Sequence, residues 1–145
     1  MILMLHSLLR WLVLFGGLAA TGLAFQAMRG KPWTSANKRA NLLYLIALDT
    51  QFLIGAVLWL QSPLVMTARA DMAVAMHDAT TRFFVVEHPT LMLLALGAMH
   101  MGYALSKRGG TDLAKHRKSF IAFALSLVFI VAAIPWPFRA IGRTF

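Results

Sequence analysis

Four long apolar stretches, separated by shorter polar segments, dominate the pattern along the chain. They cover about residues 1–28, 41–60, 83–105 and 119–134. Each is close to the ~20 residues with which an α-helix crosses the hydrocarbon core of a bilayer. Backbone polar groups in lipid must find hydrogen-bond partners within their own segment, so helices are the expected structure. The pattern predicts an all-α fold, a four-helix transmembrane bundle.

The composition supports a membrane location. Of the 145 residues, 59% are hydrophobic and 13% are charged, whereas soluble domains have about 45–50% apolar and about 25% charged residues. A chain this short could not bury so much apolar surface away from water, and we therefore expect a single membrane domain over residues 1–145. Because the chain contains no cysteine, it cannot form a disulfide framework, a thiolate zinc site, an iron–sulfur cluster or a covalently attached c-type haem.

The basic residues are concentrated in two of the three connections. Four lie in or beside the first connection and five in or beside the third, nine of the 14 in the chain: Arg29, Lys31, Lys38, Arg39, Lys107, Arg108, Lys115, Arg117 and Lys118. The other face of the membrane has four arginines, which are Arg69, Arg82, Arg139 and Arg143. The positive-inside rule then places both basic connections in the cytoplasm and both termini on the outer, periplasmic side. Anionic lipid headgroups account for the net charge of +9 without nucleic acid as a partner.

The connection between the second and third stretches, residues 63–82, is the longest. Met66, Ala70, Val74 and His77 recur in it at roughly helical spacing. This spacing is compatible with a short amphipathic helix over about 64–78 that lies in the membrane interface. The alternative is an irregular loop that covers the end of the bundle.

Ionisable residues within the apolar stretches are candidates for chemistry, because charges are costly at membrane depth. His6 and Arg10 lie four residues apart, on the same face of the first helix. One interpretation is a metal or haem ligand with an arginine placed for a haem propionate. The other is an interfacial histidine beside an arginine whose charged end reaches the membrane surface.

Glu87 and His88 open the third helix, shortly after Arg82. Neighbouring residues on a helix point about 100° apart, so we expect His88 to face the bundle centre while Glu87 pairs with Arg10 or Arg82. His88 then lies at a depth similar to that of His6, on a different helix. Two imidazoles that reach inward from facing helices are able to hold a b-type haem.

Other polar residues lie deeper in the membrane. Asp49 and Gln51 are in the middle of the second stretch, and Asp49 suits a proton relay, a quinone contact or a partner for a cofactor. The alternative is a protonated Asp49 in a hydrogen bond between helices.

His100 lies about 18 Å beyond His88 along the third helix, and a second haem would need His116 as its partner. We expect His116 on the surface, within a run of charged residues, which disfavours a second haem.

Several local strings occur in one order along the chain. They are His6-Ser7 with Leu9-Arg10-Trp11, Gln51–Gly55, Ser62-Pro63, Arg82–His88, Lys115–Lys118 and Ile134–Phe138. The combination covers nearly the whole chain and resembles a family of small four-helix bacterial membrane proteins labelled cytochrome B, found among Bacteroidetes. The chain departs from this family near Asp49, where relatives often carry a histidine, and the departure puts a haem ligand from the second helix in doubt.

The resemblance implies a bacterial inner-membrane protein that holds haem b between His6 and His88. Arg10 would face the haem propionates, and Glu87, with Arg82 nearby, would anchor the site. The leading expectation is electron transfer with a quinone or a respiratory partner. No phosphate loop, nucleophile–base signature or zinc motif indicates a stand-alone enzyme. Two other functions stay open: a cofactor-free accessory or assembly subunit of a larger membrane complex, and a small transporter or proton-conducting protein.

Overall fold

The computed structural model describes residues 1–108, 110–138 and 141. These residues form seven α-helices and one π-helical turn, and no strand occurs among them. In chain order the elements are α1 (Ile2–Ala27), α2 (Ser35–Gln61), α3 (Pro63–Ala70), α4 (Met72–His77), α5 (Ala79–Arg82), the π-turn (Phe83–Glu87), α6 (His88–Lys107) and α7 (Asp112–Ala133). Arg139 and Arg143, which entered the orientation argument, lie outside the described residues.

Four helical runs are long and apolar enough to cross a membrane. They are α1, α2, α7 and the run Ala79–Lys107, here called the third span, which joins α5, the π-turn and α6. Large apolar side chains cover the outside of the bundle: Phe15, Leu43 and Val128 are 65%, 66% and 63% exposed. Lipid is the environment that suits such a surface. The predicted all-α fold with four helices able to span a membrane is confirmed, and the chain is a multi-pass membrane protein.

Two of the spans begin before the apolar stretches that predicted them, because their first turns are polar. α2 begins at Ser35 rather than near residue 41, and α7 begins at Asp112 rather than near residue 119. At the start of α2, the Asn37 side chain accepts a hydrogen bond from the Thr34 backbone. At the start of α7, the Thr111 hydroxyl accepts one from the backbone three residues later. Such caps allow a helix to begin in the polar interface.

Small residues let the spans approach one another closely. At Gly17 of α1, an added Cβ atom would lie 2.7 Å from Leu127 and 2.8 Å from the Tyr44 ring. At Gly102 of the third span, it would lie 2.6 Å from the Cβ atom of Ala122 on α7. Close packing of this kind stabilises helix pairs in membranes. The third span packs most extensively on α7, whereas α2 and the third span meet sparsely.

A chain of hydrogen bonds joins three spans in the core. The Tyr44 hydroxyl of α2 lies 2.9 Å from Ser126 Oγ on α7, and Ser126 Oγ donates over 2.8 Å to the carbonyl oxygen of Ala95 on the third span. Because Ser126 has a single hydroxyl hydrogen, Tyr44 is the donor to Ser126. Tyr44 and Ser126 are fully buried, so these bonds satisfy polar groups that neither water nor lipid can reach.

The connection between α2 and the third span is helical, but it contains two short helices rather than one over 64–78. α3 and α4 are separated at Asp71, whose carboxylate accepts a hydrogen bond from the Val74 backbone over 3.1 Å and caps α4. Asp78 caps α5 in the same way through Thr81. The hydrogen bonds from Thr81 hold the pKa of the Asp78 carboxyl below its usual range.

Trp59 fastens this connection to one end of the bundle. Its Nε1 donates to the carbonyl oxygen of Val85 in the π-turn over 3.1 Å. Val65 and Ala68 of α3 are buried in a small apolar cluster with Val85, against which Trp59 packs. The connection therefore forms part of the wall at the end of the bundle where the candidate site lies.

Candidate functional site

A cavity of about 680 Å³ lies at the end of the bundle opposite the two basic connections. All four spans and α3 contribute to its wall, which is largely apolar. Its polar lining consists of His6, Ser7, Arg10, Gln51, Gln61, Ser62 and His88. The volume falls within the ~300–1,000 Å³ range of small-molecule and cofactor sites. We call this space the histidine cavity.

His6 is held against α2 by Gln51 and Gly55. The Gln51 amide nitrogen donates to the carbonyl oxygen of His6 over 2.9 Å and lies 3.4 Å from His6 Nε2. One turn further along α2, a Cβ atom added at Gly55 would lie 2.9 Å from His6 Cε1. Glycine at this position therefore provides the space in which the His6 ring lies.

His88 is oriented from α7. Its Nδ1 lies 2.7 Å from the carbonyl oxygen of Ala133, the last residue of that helix. A carbonyl oxygen only accepts hydrogen bonds, so Nδ1 carries the hydrogen. When the ring is neutral, Nε2 keeps its lone pair and is available as a metal ligand. A hydrogen bond from the other ring nitrogen to a backbone carbonyl is a common way to fix the direction of a metal-binding histidine.

The two imidazoles meet within the cavity. Their ring centres are 6.3 Å apart and their planes are inclined at 74°. Two imidazoles that bind one metal atom from opposite sides, each at about 2.0 Å, have ring centres about 6 Å apart. In the described part of the chain, His6 Nδ1 is buried without a hydrogen-bond partner. His88 therefore retains Nε2 as a ligand nitrogen. His6 offers Nδ1 as a ligand only in the tautomer that carries its hydrogen on Nε2, because the Gln51 amide nitrogen near Nε2 donates and does not accept.

The other predicted cofactor-binding residues divide into two groups. Arg10 lines the histidine cavity, one turn from His6. Glu87 and Arg82 are not among the described residues that line it; Arg82 Nε lies 2.8 Å from Glu87 Oε1. Arg82 also donates to the carbonyl oxygen of Met76 over 3.0 Å. Of the two partners predicted for Glu87, Arg82 is the one that the structure shows, and the pair fastens α4 to the third span.

Asp49 and His100 pair with each other, away from the cavity. His100 Nε2 lies 2.8 Å from Asp49 Oδ1 and so links the third span to α2. The His100 side chain is 49% exposed and the Asp49 side chain 34%, so the pair lies on the outside of the bundle at membrane depth. This geometry matches the interpretation of Asp49 as a contact between helices. Gln51, two residues later, lines the histidine cavity instead.

His116 is buried, and its predicted place on the surface was wrong. It has no exposed surface, and its ring centre lies 4.8 Å from that of Trp33. Its neighbours Arg117 and Lys118 are exposed, so only one face of this charged turn of α7 points outward. The structure does not bring His100 and His116 together, since His100 pairs with Asp49.

Sequence reasoning did not identify the roles of Gly55 and Ala133. A glycine in an apolar helix ordinarily indicates close helix packing, and a backbone carbonyl leaves no trace in the residue type. The available signal was the spacing of Gln51 and Gly55. They lie at positions i and i+4, which places both on one face of α2. This is the face against which His6 lies.

Comparisons with protein-family models, with curated proteins and with solved structures find no match to this chain. The resemblance to the cytochrome B family therefore stays a prediction. Within residues 1–108, 110–138 and 141, no group of three or more His, Cys, Asp or Glu side chains is arranged to hold a metal ion. The paired imidazoles of His6 and His88 are the arrangement on which a functional proposal rests.

Proposed function

We propose that this chain is a b-type haem protein of the membrane that transfers electrons, in which His6 and His88 would hold the haem iron. The observation that supports this proposal is the meeting of two imidazoles from different spans in one cavity, with ring centres 6.3 Å apart. Helix bundles build cofactor sites in this way, from side chains on facing helices.

The residues of the histidine cavity fit such a group. Gly55 leaves space beside His6, and the largely apolar wall, which includes Met92 and Ile130, suits a flat hydrophobic macrocycle. Arg10 supplies a cation at the same cavity for a propionate carboxylate. Among the described residues, the buried Nδ1 of His6 has no hydrogen-bond partner. This further supports a bound group at the site, because buried polar atoms ordinarily have a partner.

Haem, when bound, would supply the one-electron chemistry. The residues of this chain would hold and orient the haem. Gln51 and Gly55 position His6, and the Ala133 carbonyl oxygen fixes the direction of His88 and increases the basicity of its free nitrogen. The apolar wall limits the access of water to the site.

The charge distribution supports one orientation in the membrane. Both basic connections face the cytoplasm, and both termini face the periplasmic side of a bacterial inner membrane. The histidine cavity then lies in the outer half of the bilayer. A quinone in the lipid or a respiratory partner at the outer surface would be the electron donor or acceptor.

A reduced-minus-oxidised absorption spectrum of protein purified from haem-replete cells tests the proposal. We expect a Soret band and a b-type α-band in the wild type, and their loss in His6→Ala and in His88→Ala. His100→Ala is the matched control, because His100 is also a histidine of the third span but pairs with Asp49 outside the cavity. This control is expected to keep the spectrum.

Two results would contradict the proposal in different ways. A band that survives both His6→Ala and His88→Ala would leave the haem but refute these two ligands. The absence of any band in the wild type would refute the haem itself. It would favour the alternative of an accessory or assembly subunit, in which the two histidines are structural contacts.

A further inference from the structure

A second cavity, of about 530 Å³, lies at the other end of the bundle, where α2, the third span and α7 come together. Its described lining combines four basic side chains with the aromatic ring of Tyr103, the amide of Asn41 and the apolar side chain of Leu42. We call it the basic cavity. Among the described residues it shares no lining residue with the histidine cavity. A ligand bound in it would therefore occupy a different site from the proposed haem.

The basic cavity concentrates positive charge. Lys38 and Arg39 come from α2, Lys107 from the third span and Lys115 from α7, and none of the described lining residues is acidic. Among the described residues, Lys115 alone of these four has a carboxylate nearby, with Asp112 Oδ1 3.5 Å from its Nζ. Cations from three spans therefore converge on one space, and few carboxylates lie close enough to compensate their charge. Such an arrangement favours the binding of an anion.

Asn41 gives an independent indication of a ligand. It lines the cavity and is 2% exposed, and its Nδ2 has no hydrogen-bond partner in the described part of the chain. An unpaired buried amide costs free energy because it has lost its hydrogen bonds to water without replacing them. A ligand oxygen in the cavity would supply the missing acceptor.

The wall of the basic cavity is amphipathic. Lys107 Nζ lies 4.1 Å from the centre of the Tyr103 ring, so a charged and an aromatic group adjoin within it. Leu42, which also lines the cavity, is an apolar side chain that is 41% exposed. Asn41 lies six residues, about 9 Å, beyond the first residue of α2. The cavity thus extends from the charged end of the bundle towards the hydrocarbon region.

We propose that the basic cavity binds the phosphate headgroup of an anionic phospholipid. Basic pockets between membrane helices recognise such headgroups. The apolar part of the wall distinguishes a lipid from a soluble phosphate compound, because only the lipid has acyl chains to lie along Leu42. The lipid phosphate would contact the four cations and accept a hydrogen bond from Asn41.

Native mass spectrometry of the detergent-solubilised protein, titrated with phosphatidylglycerol or with zwitterionic phosphatidylcholine, tests this proposal. We expect the wild type to retain phosphatidylglycerol preferentially. Lys38→Gln/Arg39→Gln removes two cavity charges and is expected to weaken phosphatidylglycerol binding about 25-fold, at about fivefold per charge. Arg117→Gln/Lys118→Gln is the matched control, since it removes two exposed charges from the same end of the bundle outside the cavity.

The control is expected to bind phosphatidylglycerol within about twofold of the wild type. Equal losses in the test and control pairs would overturn the proposal, because binding would then follow net charge rather than the cavity. Displacement of the lipid by inorganic phosphate at equal concentration would overturn the lipid assignment and indicate a soluble phosphate compound.

Asn41→Leu is a second variant that changes no charge. It is expected to reduce phosphatidylglycerol binding several-fold while phosphatidylcholine binding is unchanged. This variant keeps the proposal testable if Lys38→Gln/Arg39→Gln fails to fold, as judged by circular dichroism. Unchanged phosphatidylglycerol binding in a folded Asn41→Leu variant would overturn the assigned contact with the headgroup.

Discussion

His88 Nδ1 donates a hydrogen bond to the carbonyl oxygen of Ala133 over 2.7 Å and thereby ties the third span to the last turn of α7. One contact thus has two consequences for the molecule. It joins two helices at the end of the bundle, and it turns the remaining ring nitrogen of His88 away from α7. A substitution at position 88 therefore affects stability and ligand binding together unless the two are separated by design.

The variant His88→Asn separates the effect on stability from the effect on ligand binding. The asparagine amide nitrogen lies near the position of Nδ1 and still donates to Ala133, but it offers no ligand nitrogen. We expect His88→Asn to exceed His88→Ala in free energy of unfolding by about 0.5–1.5 kcal/mol, the net value of one hydrogen bond. Both variants are expected to lose the haem spectrum. Denaturant unfolding in detergent measures the difference, and equal stabilities would contradict the structural role of this bond.

Gly55→Ala tests the space beside His6. The new Cβ atom would lie 2.9 Å from His6 Cε1, so the ring must move. We expect the free energy of unfolding to fall by about 1–3 kcal/mol. The haem spectrum should also weaken, because His6 no longer keeps its position. Gly16→Ala is the control, because in the described part of the chain no atom outside its own stretch of helix lies within 4 Å of the added Cβ atom. It should be neutral or stabilising by up to about 1 kcal/mol. Matching behaviour of the two variants would show that position 55 does not constrain His6.

The hydrogen-bond chain from Tyr44 through Ser126 predicts that its two hydroxyl groups differ in how much stability is lost when each is removed. Tyr44→Phe removes one bond and is expected to cost about 0.5–1.5 kcal/mol. Ser126→Ala is expected to cost about 1–3 kcal/mol, because it leaves the Tyr44 hydroxyl buried without a partner. The double variant should be more stable than Ser126→Ala alone. Strictly additive losses in thermal or denaturant unfolding would argue against the chain of bonds.

Asp49 and His100 should be coupled to each other but not to the histidine cavity. A double-mutant cycle with Asp49→Ala and His100→Ala is expected to give a coupling of about 0.6 kcal/mol and no more than about 1.7 kcal/mol, as for other polar contacts between membrane helices. The absorption spectrum should be the same in all four proteins. Loss of the haem bands in Asp49→Ala would refute the separation of this pair from the cavity.

The spans could be predicted because about twenty apolar residues in lipid leave the backbone no alternative to a helix. The similar depth of His6 and His88 also followed from counting residues along two helices. Which faces meet could not be predicted, since a membrane helix is apolar both inside the bundle and towards lipid. Asp49 and Gln51 illustrate this limit: spacing places them on different faces of α2, but nothing in the residue types shows which face is inward.

The basic end of the bundle shows the same limit in another form. The charges near His116 indicated a surface turn, yet the ring packs on Trp33 and is fully buried. A turn of helix at the membrane surface presents some residues to water and others to the core, so charge in the neighbouring positions does not determine the environment of one side chain. The sequence likewise showed Asn41 only as the first residue of an apolar stretch. Its place in the wall of the basic cavity became known from the fold.

The π-helical turn Phe83–Glu87 directly precedes His88. A π-turn contains about one residue more than an α-turn, and one residue corresponds to about 100° around a helix. If that extra residue were deleted, α5 and the start of α6 could no longer both keep their present directions, and either Arg82 or His88 would rotate away from its partner. The meeting of the two imidazoles therefore depends on the length of this segment.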